Sequence, residues 1–419
     1  MQCSSPPLSQ NDKAVVESDG AAIGSPPHIL VFLHAPGPGG VERIALRLIA
    51  GLRLDGIDVR LVLGNPAGPM QGHLVPGIAT RSIPPWPLVG QRLASLRLVI
   101  ATLRAIRTHR PDALFCPGNA YTIVAVLLKL RLGRNCPPVL AKISNDLTRS
   151  DMPRIMRPLY SIWLRIQGKT IDHFAALSDP MAREVAARMG VGRARVHVVP
   201  NPVLALADLE AAVPSPSLSV PQRGRRFVAV GRLERQKDYP LMLRAFAAGA
   251  GPDDTLTIFG EGRARSRLER LAERLGIATK VHFAGFSPNI LHQLTHYDVM
   301  LLSSRYEGQP GVVVEALACG IPIIATRCCA SMPLLLDYGA LGTLIDGDNE
   351  AAFADAIRTA HRDMQDRPRA REQAAAFTIE RAIPAYRELF RHILATSPHP
   401  RHADVRKPTT QSRLEAQLS

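Results

Sequence analysis

Residues 28–64 read HILVFLHAPGPGGVERIALRLIAGLRLDGIDVRLVLG, two continuous apolar runs separated by a Gly-Pro loop and an amphipathic stretch. This rhythm limits the fold more than any other feature. A strand that is apolar on both faces must be covered on both, and parallel βαβ units with helices above and below the sheet provide that cover. The pattern predicts a strand at His28–His34, a helix from about Val41 and a strand at Asp58–Leu63. The alternation continues through a helix near Gln91–His109, a strand at Ala113–Phe115, a helix at Ala120–Leu132 and a basic helix at Pro153–Lys169.

Residues 206–226 then break the rhythm with LADLEAAVPSPSLSVPQRGRR, rich in Pro, Ser and Ala, which reads as a linker. A fresh alternation follows: FVAVGRL, a helix near Tyr239–Ala247, TLTIFGEG, a helix at Arg263–Leu275, VHFAGF, DVMLLSS and IIAT. The expected architecture is α/β, with two Rossmann-like doubly wound domains facing across a cleft. The expected division is a disordered tail at 1–26, a first domain at 27–205, the linker, a second domain at 227–376, a helix at 377–396 packing back on the first domain, and a disordered tail at 397–419. Ligands of such sheets bind at the carboxyl ends of the strands, so loops from both halves should meet in the cleft.

A chain of 419 residues is long enough for two such cores. No apolar run approaches the ~20 residues that span a bilayer, and the start lacks the basic and apolar regions of a signal peptide. The six cysteines show no paired metal spacing, and Cys328 and Cys329 are adjacent; this favours a reduced, cytoplasmic setting. The net charge of +15 is uneven: residues 27–205 hold 23 Lys and Arg against 9 Asp and Glu. Such a half suits nucleic acid, an anionic membrane surface or a phosphorylated substrate. No nucleic-acid recognition module or aromatic platform is apparent. Two helices carry the charge, one with Arg97, Arg104 and Arg107, the other with Arg154, Arg157, Arg165 and Lys169. Each has an apolar stripe, which either packs on the sheet or docks on an anionic leaflet.

The chemistry concentrates in RYEGQPGVVVEALACG, residues 305–320. Glu307 falls in the loop at a strand's carboxyl end, and Glu315 about a turn into the next helix. They are either ligand-binding acids or, respectively, a cap and an ion-pair partner. Arg232 and Lys237, five apart in another terminal loop, suit a diphosphate, Arg through bidentate hydrogen bonds and Lys as a point charge. Gly260 and Gly262 form a strand-to-helix turn, and Gly39 and Gly40 precede a helix whose N-terminus points into the cleft. Neither glycine pair has GxGxxG or GK[ST] spacing, so neither a dehydrogenase nor a P-loop is supported.

Taken together, VGRLERQKDYPLMLRAFA, IFGEGRARSRLERLAERLGIATKVHFAGF, DVMLLSSRYEGQPGVVVEALACGIPIIAT and GTLIDGDNEAAFADAI resemble the donor-binding domain of retaining GT-B glycosyltransferases of family 4. The first half is similar more loosely, through GPGGVERIALRLIAGL and VVPNPV. The resemblance implies that Glu315 holds the ribose hydroxyls of a UDP- or GDP-sugar and Glu307 the donor sugar. Gly308, Gln309, Pro310, Gly311 and Val312 complete the donor loop, with Gly260 and Gly262 beside it. Arg232 and Lys237 neutralise the leaving diphosphate, while Gly39 and Gly40 let the first domain close on the phosphates. Members of the group typically use no metal, and no cofactor is implied. Where many relatives carry a histidine or acid in the first domain, this chain has Asn119; where they carry His-Gly it has Asn145 and Asp146, and each of the three either orients the acceptor or caps its loop.

The expected function is transfer of a sugar to a lipid-linked glycan in cell-surface polysaccharide or lipopolysaccharide synthesis by a cytoplasmic, membrane-peripheral enzyme that binds no nucleic acid. The alternatives on the same fold are a nucleotide-sugar epimerase, a glycogen-synthase-like enzyme, or a sugar-nucleotide binder without turnover.

Overall fold

The computed structural model describes residues 26–35, 39–65, 80–82, 94–148, 152–212, 224–361 and 365–397. Seven strands form the first sheet: β1 His28–Leu33, β2 Asp58–Leu63, β3 Thr80–Ser82, β4 Ala113–Cys116, β5 Val139–Lys142, β6 His173–Ala176 and β7 Val196–Val198. They lie in the order β3-β2-β1-β4-β5-β6-β7, each pair parallel. Helices α1 Gly40–Leu54, α2 Ala94–His109, α3 Thr122–Leu132, α4 Arg157–Thr170 and α5 Asp179–Met189 cover it. β4, β5 and β6 are buried at every position, which explains their apolar runs, broken only by Lys142 at the end of β5 and His173 at the start of β6.

A short helix, α6 Leu206–Ala211, occupies the start of the expected linker, and β8 begins at Arg226, inside its expected end. Residues 213–223 between them, and the expected tails apart from Pro26 and Ser397, lie outside the described residues. The second sheet contains β8 Arg226–Val230, β9 Thr255–Phe259, β10 Val281–Gly285, β11 Val299–Leu302, β12 Ile323–Thr326 and β13 Thr343–Ile345. Its order is β10-β9-β8-β11-β12-β13, and again every pair is parallel. Around it lie α7 Tyr239–Gly249, α8 Arg265–Arg274, α9 Ile290–Leu294, α10 Gly311–Ala318, α11 Met332–Leu335 and α12 Glu350–Thr359, followed by α13 Arg367–Ala375 and α14 Ile379–Thr396.

Each sheet is wound outward in both directions from its centre, so the strand order reverses between β1 and β4 and again between β8 and β11. Crevices open at such reversals, outside the carboxyl ends of the strands. The loops after these four strands carry Gly39, Asn119, Lys237 and Glu307.

α14 crosses back to the first domain. The N–H of Val203 donates to the Phe377 carbonyl at 2.9 Å. Further along, Arg387 reaches Asp55 on the loop after α1 at 2.9 Å. Tyr386 and Phe390 meet Phe115 of β4 edge-on at 5.9 and 6.1 Å. Arg371 of α13 holds the connection, donating to the carbonyls of Leu209, Ala212 and Ala318 at 2.6, 2.8 and 2.9 Å.

The two basic helices part company. α2 buries Leu98, Val99, Ala101, Thr102, Ala105 and Ile106, leaves Arg104 and Arg107 exposed and lays Arg97 against the Gly64 carbonyl, the packed arrangement. α4 buries only Leu164, Gln167 and Gly168. Its stripe does not pack on the sheet. Pro158 sits in the first turn, where its missing N–H costs nothing, so the helix begins there instead of bending.

Candidate active site

On the second domain the loop after β8 runs through Gly231 and a 3-10 turn at Arg235–Lys237, then enters α7. Its backbone is fixed from behind: Tyr239 OH donates to the Gly231 carbonyl at 2.9 Å and Ser303 OH to the Lys237 carbonyl at 2.7 Å. The Lys237 ammonium is thereby delivered to Glu307, with Nζ 2.8 Å from Oε1 and both side chains largely shielded from water. The contact is an ion pair without hydrogen-bond geometry, and this buried oxygen accepts no hydrogen bond.

Glu315 is buried in α10 at 4% exposure. Its Oε1 lies 3.3 Å from Arg43 Nη2, in the first turn of α1 on the opposite domain. Of the two acids eight positions apart, one pairs within its domain and the other across the cleft. Pro310 caps α10 without a side-chain bond, and the first-turn N–H groups of a helix have no partner within it. The carbonyl side chain of Gln309 accepts from the Asn201 N–H at 3.2 Å.

Gly308 explains how closely the domains approach. A Cβ there would stand 2.1 Å from the Ser144 carbonyl oxygen. Asn145 pairs with Gly308 as an antiparallel bridge, and the Asp146 N–H donates to the Glu307 carbonyl at 2.9 Å. Gly260 and Gly262 have a different reason for being glycine. Gly260 has φ +138°, and Cβ atoms at the two positions would fall 2.0 Å from the Gly231 carbonyl and 2.4 Å from that of Leu233. Their missing side chains let the two second-domain loops stack.

Arg232 is not drawn into this group. It is 61% exposed and pairs with Glu234 at 3.2 Å.

On the first domain Gly39 caps α1, and the Glu42 carboxylate folds back to where a Gly39 side chain would lie, while a Cβ on Gly40 would meet nothing within 4 Å. Tyr121 OH donates to Glu42 Oε1 at 2.9 Å and its ring stacks on His34 at 4.9 Å. Burial holds the His34 imidazole below its ordinary range, that is, neutral. Asn119 is a loop cap: its Oδ1 accepts from Ser144 N–H, Ser144 OH and Asn145 N–H at 2.7, 3.2 and 3.2 Å. Asp146 is half-buried against Glu184 of α5, and burial with this second carboxyl pushes it up to about 7. Around them Thr148 OH donates to Glu184 at 2.6 Å and Arg188 reaches Glu184 at 3.2 Å.

Arg43, Glu42, Tyr121, His34 and Glu184 were not singled out from the sequence. GGVER was quoted for its glycines, but nothing local says that the arginine two places on would reach Glu315. The sequence also holds one D-x-D tripeptide, Asp346-Gly347-Asp348, with the spacing of a metal-binding pair. It lies in an exposed turn after β13, with Asp346 2.5 Å from Arg327. Among the described residues no group of three or more His, Cys, Asp or Glu is arranged to hold a metal ion.

Two family models divide the chain at the domain boundary: Glycosyltransferase Family 4 matches residues 38–204 and Glycosyl transferases group 1 matches residues 215–377. A structure of Anabaena HepE in complex with UDP and glucose superposes with a TM-score of 0.70, covering 87% of this chain and all of that one at 19% identity. This chain is a GT-B glycosyltransferase. The enzyme is 28% identical over 384 residues to the 2-deoxystreptamine N-acetyl-D-glucosaminyltransferase of Streptomyces fradiae, 83% of this chain and 90% of that protein. It is also 30% identical over 132 residues, 32% of this chain and 36% of the relative, to the N-acetylgalactosamine-N,N'-diacetylbacillosaminyl-diphospho-undecaprenol 4-alpha-N-acetylgalactosaminyltransferase of Campylobacter jejuni. Among its described residues no helix is long and apolar enough to cross a membrane.

Proposed function

We propose that the enzyme transfers a sugar from a UDP- or GDP-sugar to a lipid-linked glycan, retaining the anomeric configuration and using no metal, in the synthesis of a cell-surface polysaccharide or lipopolysaccharide. It acts in the cytoplasm, at the inner face of the membrane; the five described cysteines, all free and buried, support a reducing compartment.

The observation that carries this reading is the buried Lys237–Glu307 pair in the mouth of the same cleft that brings Glu315 to the first turn of α1. Glu315 accepts from the ribose diol, and Glu307 turns its free oxygen to a donor hydroxyl. Lys237 stabilises negative charge growing on the leaving diphosphate. Arg232, free to swing, closes on the same phosphates. The bond from the anomeric carbon to the phosphate oxygen breaks as the bond to the acceptor oxygen forms on the same face, and the acceptor proton passes to the departing phosphate. No side chain need act as base.

The test is a thermal-shift panel of nucleotide sugars in EDTA. One uridine or guanosine sugar is expected to stabilise the wild type, and Lys237→Ala and Glu315→Ala are expected to lose most of that gain. An unchanged response in either variant removes its assigned role. A coupled assay of nucleotide release then separates the alternatives: release without acceptor indicates an epimerase, and no release with any acceptor indicates a binder. The acceptor panel includes 2-deoxystreptamine beside lipid-linked sugars, because the relative matched over most of its length is named for it.

A further inference from the structure

Twelve large apolar side chains stand exposed among the described residues, and five of them lie within one stretch: Ile155, Met156, Leu159, Ile162 and Ile166, at 84, 50, 66, 57 and 39% exposure. Elsewhere they occur singly, which is ordinary for a protein surface. Ile155 and Met156 belong to the 3-10 turn Arg154–Met156 that leads into α4. Leu159, Ile162 and Ile166, spaced i, i+3 and i+7, line one face of the helix itself. The opposite face is seated through Gly168, where a Cβ would lie 2.1 Å from the Met189 carbonyl.

Charge says what covers the open face. Arg165 and Lys169 form a row beside the apolar one, Arg154 and Arg157 stand at its start, and residues 152–170 contain no Asp or Glu. An exposed apolar row bordered only by cations is the pattern of a helix that lies in a membrane interface. A surface made for a second copy of this chain would need acids to meet those cations, and α4 has none to offer.

We propose that this face of α4 docks on an anionic phospholipid bilayer. Position adds a consequence. The chain passes from Asn145, bridged to Gly308 across the cleft, to Ile155 within ten residues. Chain length therefore keeps the start of the docked face within about 35 Å of that bridge. The surface stands on its own observations; that it presents a lipid-linked acceptor to the cleft rests on the function proposed above.

The experiment is co-sedimentation of the full chain with phosphatidylglycerol vesicles against phosphatidylcholine vesicles. The wild type is expected to partition onto the anionic vesicles and to leave them as salt rises. Combined Ile155→Asp, Leu159→Asp and Ile162→Asp is expected to lower partitioning at least about 100-fold. Arg154→Gln with Lys169→Gln should lower it roughly 20-fold, on anionic vesicles only. All five positions are exposed, so thermal melting reports whether the variants are folded. Absence of partitioning, partitioning unchanged in the apolar triple variant, or a solution dimer that this variant splits would each overturn the proposal. Loss of vesicle binding with an intact nucleotide-sugar shift counts against docking alone, and the reverse counts against the proposed function alone.

Discussion

The two walls of the cleft are built on the same topology but use their polar groups in opposite ways. On the second-domain wall the carboxylates are held by cations and keep capacity to spare: Glu307 by Lys237 in its own domain and Glu315 by Arg43 from the other. On the first-domain wall the polar groups satisfy one another. Asn119 is spent on the Ser144–Asn145 backbone, Tyr121 on Glu42, and the Asp146 carboxyl is raised by burial beside Glu184. One wall offers charge to a ligand, while the other holds loop shape.

Three substitutions sharpen or break that contrast. The largest effect is expected at Lys237. Removing it by Lys237→Ala takes away the only cation paired with Glu307 among the described residues, and kcat/KM for transfer should fall about 10²- to 10³-fold, measured by nucleotide release. A loss of stability without a loss of rate would make the pair a structural element and erase the distinction between the walls. Next comes Asn119→Ala, which orphans two backbone N–H groups and a hydroxyl and should cost about 1–3 kcal/mol of stability in denaturant unfolding. If stability held while kcat fell, Asn119 would belong to the chemistry.

The smallest effect concerns pH. Asp146 is raised from about 3.8 to about 7 by burial and Glu184, so between those values the folded protein keeps a proton that the unfolded chain has lost. Stability from this group is therefore full below the lower value and declines as pH rises through the upper one. Asp146→Asn should flatten the wild type's decline between pH 4 and 7 by about 1 kcal/mol, after allowance for solvent screening. Parallel pH dependences of stability for the two proteins across that range would show that Asp146 does not keep its proton there.

Much of the fold was legible because its signals are local. Apolar runs with helical stretches between them mark β1, β2, β4 and β8 to within a residue or two, since each strand needs only its own burial to write its pattern. The placement of the two acids on the second-domain wall was legible for the same reason: Glu307, Pro310 and Glu315 lie in one loop and helix, so spacing alone puts them together. The rest was out of reach. Asn119 is a candidate reacting group by position, yet its role as a cap depends on a loop 25 residues away. α4 has the composition of a packed amphipathic helix, and α2, read the same way, is one.

By itself the sequence determined two wound sheets, a break in their rhythm at 206–226 and a cluster of acids and cations at the ends of β8 and β11. Periodicity and turn chemistry act over a few residues and need no partner to be read. Only the tertiary structure decided that Arg43 meets Glu315, that Gly308 is glycine because Ser144 presses on it, and that α4 turns its apolar face outward. Each depends on which surfaces the two domains and the crossing α14 have already covered, and burial is shared among segments far apart in the chain.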